Sequence, residues 1–199
     1  GRKAYLRQAE MRNTDWFQEL FRPTMQHSHS VSITSGSEKG SYYASLGALV
    51  DPGWSIQSKV NRYTALFNTS QKLFNDHITL NIIGNASYRQ QRAPGSLASS
   101  TNLVEGSVKR DFDINPYSYA LRTSRTLDPD EFYTRNYAPF NIKHELENNY
   151  IDLSVLDTKF QAEIKAKPIK GLELSALGSV RYQLSMTEHN IKDNSNQAE

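Results

Sequence analysis

Six stretches of the chain alternate apolar and polar residues with a period of two. In the clearest stretch, residues 78–89, Ile78, Leu80 and Ile82 begin a row of apolar or small residues, and most residues between them are polar. Because successive side chains of a β-strand point to opposite faces of the sheet, this pattern predicts strands with one apolar and one polar face. The predicted strands cover residues 28–35, 41–50, 63–70, 78–89, 153–167 and 172–184.

The connections between the predicted strands are alternately short and long. Residues 36–40, the turn around Asn75-Asp76 and residues 168–171 are short, whereas residues 51–61 and especially residues 91–149 are long. In an antiparallel up-and-down meander, every second connection lies at the same edge of the sheet. Outer-membrane barrels show this asymmetry, with short periplasmic turns and long extracellular loops. We therefore predict an all-β fold: an antiparallel up-and-down meander that is a segment of a transmembrane β-barrel.

This reading divides the chain into five segments. Residues 1–27 precede the strands as a loop with a short helix that Asp15 caps and Pro23 ends. Residues 28–90 form four barrel strands, and residues 91–150 form a long extracellular loop with one or two expected helical turns at residues 140–147. Residues 151–186 form two further strands, and residues 187–199 begin the next extracellular loop.

The fifth predicted strand indicates which face meets water. Lys159, Glu163 and Lys165 share one face, and Phe160 lies on the other. A Lys or Arg on the lipid face near the middle of the bilayer costs roughly 2–4 kcal/mol. We therefore expect the charged face to meet water and the Phe160 face to meet lipid or a protein core.

Composition and charge exclude several classes of protein. The 199-residue chain is 37% hydrophobic but has no apolar run long enough for a membrane-spanning helix. A formal net charge of +2 with scattered Lys and Arg gives no indication of nucleic-acid binding. The absence of cysteine excludes disulfides, thiolate nucleophiles and Cys-based zinc sites. Since no apolar segment follows Gly1-Arg2-Lys3, we expect no signal peptide in this sequence.

No pattern of residues indicates an enzyme, a cofactor or a metal. His27 and His29 lie two residues apart but have no third ligand nearby in the sequence. The acidic residues 111–113 and 128–131 do not follow the calcium-loop pattern. Neither a Gly-x-Ser-x-Gly motif nor a phosphate-binding glycine pattern is present. We therefore expect no catalytic, cofactor-binding or metal-binding residues.

Five segments of the sequence carry a family resemblance, in this order: residues 13–22 (NTDWFQELFR), 29–39 (HSVSITSGSEK), 42–47 (YYASLG), 61–65 (NRYTA) and 141–150 (NIKHELENNY). In order and spacing they resemble the SusC/RagA family of TonB-dependent outer-membrane transporters over nearly the whole chain. The resemblance implies that the chain corresponds to the second through seventh strands of a barrel of about 22 strands. It also implies that residues 36–40 lie in the periplasm, and that the plug and most of the barrel lie outside this sequence.

The resemblance implies part of a nutrient importer in the outer membrane of a Gram-negative cell. The cargo would be an oligosaccharide or a peptide, and a SusD-like surface lipoprotein would cover the barrel as a lid. Further implied partners are TonB, through a region outside this chain, and outer-membrane lipid. The alternative is a soluble β-rich binding or adhesion module with one buried sheet face, since a soluble sandwich produces the same alternation.

Aromatic residues in the predicted loops are the candidate contact residues. Aromatic rings suit sugar rings, peptide side chains and protein interfaces, although they can equally pack the long loop against itself. The residues proposed to contact a ligand or the lid are Trp54, Tyr117, Tyr119, Tyr133 and Tyr137.

Overall fold

The alternating stretches form one six-stranded antiparallel sheet in the computed structural model, which describes residues 2–95, 97–99, 110–112, 114–135, 138–196 and 198. The strands follow each other in the order β1-β2-β3-β4-β9-β10, so each pairs with its neighbour in the meander. The predicted all-β up-and-down meander is confirmed. The six strands are β1 (His27–Ser37), β2 (Gly40–Asp51), β3 (Lys59–Leu73), β4 (Ile78–Pro94), β9 (Asn149–Ile169) and β10 (Leu172–Ile191).

Short and long connections lie at opposite edges of this sheet. One edge, called the turn edge below, carries residues 38–39, 74–77 and 170–171. Gly171 adopts a positive φ of 89° that suits glycine, which allows the tight β9–β10 turn. The other edge, called the loop edge, carries residues 52–58 and the described residues of the long connection between β4 and β9.

Several strands extend further toward the loop edge than the alternation predicts. Residues 91–94 belong to β4 and residues 187–191 belong to β10, although both segments were predicted to be loop. The pairing between strands continues there because backbone hydrogen bonds do not require an apolar face, as in the pair of Ile191 with Asn149. An ion pair of 2.7 Å between Arg92 and Asp152 stabilises the extended β4–β9 pairing.

The long connection contains the helical turns expected at residues 140–147, which form α4 (Ile142–Asn148), and further regular structure that the sequence pattern did not reveal. It includes four short strands in two hairpins and two helices. The helix α3 begins after Asn115, whose side chain accepts hydrogen bonds from the backbone N–H groups of Tyr117 and Ser118, with Pro116 in the first turn. These elements are β5 (Leu97–Ser99), β6 (Arg110–Phe112), α3 (Pro116–Arg122), β7 (Tyr133–Arg135), β8 (Ala138–Phe140) and α4 (Ile142–Asn148).

Two helices precede the sheet. The helix α1 spans Arg2–Met11, and α2 spans Trp16–Leu20. As the sequence predicts, Asp15 caps α2, since its carboxylate accepts hydrogen bonds from the N–H groups of Phe17 and Gln18. No helix in the described part of the chain is long and apolar enough to cross a membrane.

The buried apolar core of the described chain lies at the loop edge and not against the sheet. It forms where α2, α3, β8 and α4 meet, and this unit is called the loop-edge module below. Trp16 Nε1 donates a hydrogen bond of 3.0 Å to the carbonyl of Ser124, which joins the N-terminal segment to the long connection. The core residues are Trp16, Leu20, Ile114, Tyr119, Ala138, Phe140, Ile142 and Leu146.

Candidate functional site

The register of the sheet separates an apolar face from a polar face. One row of partners across all six strands is Ile33, Ala44, Phe67, Gly84, Phe160 and Val180. The adjacent row, on the opposite face, is Ser32, Ser45, Leu66, Asn85, Lys159 and Arg181. Phe160 and Lys159 therefore lie on opposite faces, as the sequence predicts.

The apolar face is uncovered. Val31 is 70% exposed, Val180 71% and Phe160 54%, and these side chains share one continuous surface. An apolar surface of this extent is unusual for a soluble monomer and is typical of contact with lipid or another protein.

Polar residues bound the apolar face toward the loop edge. Tyr63 and Tyr88 are cross-strand partners, and two rows beyond them the same face carries a charged row. An aromatic pair followed by charges is the order expected where a lipid-facing surface meets the aqueous interface. The charged row is Lys59, Arg92, Asp152 and Glu188.

The polar face carries a set of paired charges. Arg181 binds Asp157 through two hydrogen bonds of 2.9 and 2.7 Å, in the bidentate geometry that favours guanidinium–carboxylate pairs. On the same face, Glu163 accepts a hydrogen bond of 2.9 Å from Asn81 and lies 3.4 Å from Lys165. A sheet face with paired charges of this kind is suited to line a water-filled path. Within the described ranges, no group of three or more His, Cys, Asp or Glu side chains could hold a metal ion.

Four aromatic rings form a continuous series at the loop edge, called the aromatic ladder below, in which three rings are exposed and Phe21 is half-buried against the core. Tyr117 lies 5.9 Å from Phe17, Phe17 stacks on Phe21 at 5.6 Å, and Phe21 lies 5.1 Å from Trp54. Trp54 is 64% exposed and Tyr117 52% exposed. A hydrogen bond of 2.8 Å from the Arg22 N–H to the Trp54 carbonyl holds the segment after α2 against the β2–β3 loop. The ladder can offer ring faces to a sugar, a peptide or a protein surface.

The structure brings two of the five predicted contact residues together. Trp54 and Tyr117 are the two ends of the aromatic ladder, although 62 residues separate them in the sequence. The two rings between them, Phe17 and Phe21, were not among the predicted contacts because they lie in the short helix predicted before the first strand and not in a connection between strands. Their spacing of four residues, which places side chains on one face of a helical turn, is the signal that could have identified them.

The remaining predicted contact residues have other positions. Tyr119 was predicted to contact a ligand or lid, but it is only 8% exposed and packs edge-on against Trp16 at 5.3 Å, so most of its ring lies in the core. Burial raises the pKa of the Tyr119 hydroxyl. Tyr133 is half-buried, and its hydroxyl accepts a hydrogen bond of 2.5 Å from the Asp128 N–H. Tyr137 lies outside the described residues.

The segment 141–150 anchors the base of the long connection. Asn141 caps α4, and its side-chain amide donates hydrogen bonds of 2.9 and 3.0 Å to the carbonyls of Pro129 and Glu131. Lys143 forms an ion pair of 2.8 Å with Glu19 of α2, and the hydrogen bond to Glu19 raises the pKa of Lys143. These contacts join α4 to two other parts of the loop-edge module.

Asn149 closes the long connection at the point where β9 begins. Its carbonyl accepts a hydrogen bond of 3.1 Å from the Gly95 N–H, and its side-chain oxygen lies 2.6 Å from His189 Nε2. A Cβ at position 95 would overlap the Asn149 amide, so this close approach requires glycine. The ends of β4, β9 and β10 are therefore held together at the loop edge.

Comparison with known proteins gives one match in sequence and several in fold. No protein-family model matches the chain. Over 70 residues, which are 35% of this chain and 7% of the relative, the sequence is 39% identical to the TonB-dependent receptor SusC of Bacteroides thetaiotaomicron.

The fold matches solved structures of the RagAB system over most of the chain. The structure of the RagAB peptide transporter matches with a TM-score of 0.71 and 18% identity over 92% of this chain and 20% of that chain. The RagAB peptide importer in its closed-closed state matches with a TM-score of 0.72, 18% identity and the same coverage. Its open-open state matches with a TM-score of 0.69 and 19% identity over 88% of this chain and 19% of that chain.

The chain thus spans only about a fifth of the RagAB chain that it matches. The matched part corresponds to the antiparallel meander and not to a closed barrel. This chain is thus similar in sequence to SusC over 70 residues, and its antiparallel meander is similar in fold to the RagAB structures over most of its length.

Proposed function

We propose that this chain forms part of the barrel wall of a TonB-dependent importer in the outer membrane. The observation that carries the proposal is the division of one sheet into an uncovered apolar face and a charged polar face, with all tight turns at one edge. In this arrangement, the Phe160 face meets lipid and the Lys159 face lines an aqueous path. The turn edge lies in the periplasm and the loop edge lies outside the cell.

The proposed partners act at the loop edge, along the polar face and at a part of the protein outside this chain. A SusD-like lipoprotein covers the loop edge, where the exposed rings of Trp54 and Tyr117 supply apolar contact area. A peptide or oligosaccharide passes along the polar face, and TonB acts through a part of the protein outside this chain. The similarity to SusC and to the RagAB peptide transporter supports this assignment.

The alternative, a soluble β-rich binding or adhesion module, requires a second layer over one face of the sheet. In the part of the chain that the structure describes, the apolar core lies at the loop edge and leaves both faces of the sheet uncovered. This arrangement favours the membrane assignment.

Cysteine labelling in intact cells tests the proposal directly. Because the chain contains no cysteine, single cysteines can be placed at each edge after replacement of any cysteine elsewhere in the full-length protein. We expect Arg125→Cys, at the loop edge, to react with a membrane-impermeant maleimide on intact cells. Lys170→Cys, at the turn edge, should react only after the outer membrane is permeabilised.

The turn edge provides a second position and a control. Glu38→Cys should behave like Lys170→Cys, because residues 38–39 and 170–171 lie at the same edge. All variants are also labelled in detergent extracts, where each cysteine should react. Labelling of both turn-edge positions and protection of position 125 in intact cells would contradict the proposed orientation, and labelling of all three would contradict the membrane assignment.

A further inference from the structure

A cleft lies at the loop edge between α3 and the β7–β8 hairpin. It has a volume of about 350 Å³ and is separate from the aromatic ladder and from both faces of the sheet. Its lining combines two arginines, Arg122 and Arg135, with the ring faces of Tyr119 and Phe140 and with several Ser and Thr hydroxyl groups. Two cations and two ring faces around one concave surface are a chemically specific combination.

The guanidinium group of Arg135 is held in place by aromatic rings. Its central carbon lies 5.5 Å from the centre of the Tyr119 ring and 5.3 Å from the centre of the Phe140 ring. Arg135 is half-buried, and both rings belong to the core of the loop-edge module. Cation–π contacts of this kind orient a guanidinium plane while its N–H donors remain available.

Neither arginine of the cleft is neutralised by a neighbouring acid. Among the described residues, no carboxylate oxygen lies within 4.0 Å of the side-chain nitrogens of Arg122 or Arg135. The acidic residues of the nearby turn have other partners. These pairs are Asp128 with Arg12 at 2.8 Å, Asp130 with Lys143 at 3.1 Å, and Glu131 with the Tyr133 hydroxyl at 3.2 Å.

We propose that this cleft binds a carboxylate group of the ligand, with Arg135 and Arg122 as its cationic contacts. A guanidinium fork matches the two oxygens of a carboxylate, and the partly buried position of Arg135 strengthens its hydrogen bonds, while Arg122 is exposed. The inference rests on the proposed function insofar as a nutrient reaches the loop edge. Two sources share this chemistry, an oligosaccharide that contains uronic acids and an acidic peptide.

Isothermal titration calorimetry on the purified full-length protein tests this inference with two probes and their methyl esters. The probes are trigalacturonate and triglutamate, and each methyl ester keeps the shape but removes the carboxylate charges. We expect at least one free acid to bind about tenfold or more tightly than its ester, because hydrogen bonds to charged groups are the stronger class. Preference for trigalacturonate indicates the glycan source, and preference for triglutamate indicates the peptide source.

Variants locate this preference in the cleft. We expect Arg135→Gln and Arg122→Gln each to remove most of the acid-over-ester preference. Arg125→Gln is the matched control: Arg125 is exposed in the same loop and does not line the cleft, so the preference should be retained. The inference is overturned if neither acid binds better than its ester. It is also overturned if the double variant, Arg122→Gln with Arg135→Gln, keeps the full preference.

Two further measurements separate binding from folding and from transport. Arg135→Lys keeps the charge and the ring contact but loses the fork, so it should retain part of the preference. The ratio of acid to ester affinity is the quantity compared, because a loosened module weakens both probes together. Failure of the proposed function would appear as the contrary cysteine-labelling pattern in cells, whereas failure of this inference would appear only in the affinity ratio.

Discussion

The carboxylate of Glu145 accepts a hydrogen bond of 3.1 Å from Ser195 Oγ, although 50 residues separate the two and both are buried. The same carboxylate accepts a hydrogen bond of 2.8 Å from the backbone N–H of Asn196. Glu145 therefore joins α4 to the segment that follows β10. The loop-edge module is thus assembled from three distant parts of the chain.

We expect Glu145→Gln to loosen this connection without unfolding the sheet. The two carboxylate oxygens accept from two different donors, whereas the Gln amide has a single acceptor oxygen, so the substitution disrupts one of these hydrogen bonds, a loss of about 1.5 kcal/mol. Hydrogen exchange of the amides at residues 193–196 should accelerate about tenfold in the full-length protein. Glu147→Gln is the control, because Glu147 is exposed on the same helix, and it should leave exchange unchanged. Equal exchange rates in the two variants would refute the role of Glu145.

The facing of the sheet predicts opposite outcomes for two adjacent positions. Phe160→Arg places a charge on the apolar face and should cost roughly 2–4 kcal/mol if that face meets lipid near the midplane. Gln161→Arg introduces the same residue on the polar face and should change the free energy of unfolding little. The measurement is urea-dependent refolding of the full-length protein into lipid vesicles. A greater loss for Gln161→Arg would reverse the assigned facing.

Two tyrosines two residues apart in α3 should differ in their contribution to stability. Tyr119→Ala removes a ring from the core and should destabilise the loop-edge module by about 3 kcal/mol, because it leaves a cavity beside Trp16. Tyr117→Ala removes an exposed ring and should change stability by about 0.5 kcal/mol or less. Hydrogen exchange in α2 and α3 measures both effects. Similar effects for the two variants would contradict the packing.

The ends of the aromatic ladder should contribute to binding of the lid. The double variant Trp54→Ala with Tyr117→Ala should weaken the affinity of the full-length protein for the proposed SusD-like lipoprotein about tenfold or more, since exposed aromatics often dominate interfaces. Phe132→Ala is the matched control, because Phe132 is an exposed aromatic residue outside the ladder. Surface plasmon resonance with the purified lipoprotein compares the three proteins. An equal loss for Phe132→Ala would argue against a specific role of the ladder.

The ion pair of Lys143 with Glu19 predicts a defined pH dependence. The hydrogen bond to Glu19 raises the pKa of Lys143 above its ordinary value of 10.5. The contribution of this ion pair to the free energy of unfolding is therefore complete below pH 10.5, and it is lost as the pH rises through the raised pKa of Lys143. Because both side chains are about one-third exposed, the contribution is at most about 1 kcal/mol.

Labelling of a cysteine at buried position 138 measures opening of the loop-edge module. Lys143→Gln should increase the labelling rate by a constant factor between about pH 6 and pH 9, and the factor should approach one well above pH 10.5. Lys170→Gln, at the turn edge, is the control and should not change the rate. A factor that varies across neutral pH would show that another group controls the opening.

The strands could be predicted from the sequence because their signal is local. Residues 78–89 and 172–184 alternate clearly, since each strand has to satisfy two different environments at once. The ends of β4 and β10 were missed because residues 91–94 and 187–191 lie beyond the apolar face. There the backbone pairing continues and is stabilised by ion pairs between strands, such as Arg92–Asp152. No pattern within one strand reveals such a pair.

The up-and-down meander, the opposite faces of Phe160 and Lys159, and the cap at Asp15 follow from the sequence alone. Which loop aromatics are exposed and which are buried depends on the tertiary fold. Tyr117 and Tyr119 are the same residue type, two positions apart in one predicted loop, so the sequence does not distinguish them. In the structure Tyr117 ends the aromatic ladder, whereas Tyr119 packs in the core. The same holds for Glu145, whose hydrogen-bond partners lie 50 residues away or more. The physical reason is that strand alternation depends on neighbours in the chain, whereas burial in a loop depends on contacts between segments that meet only after folding.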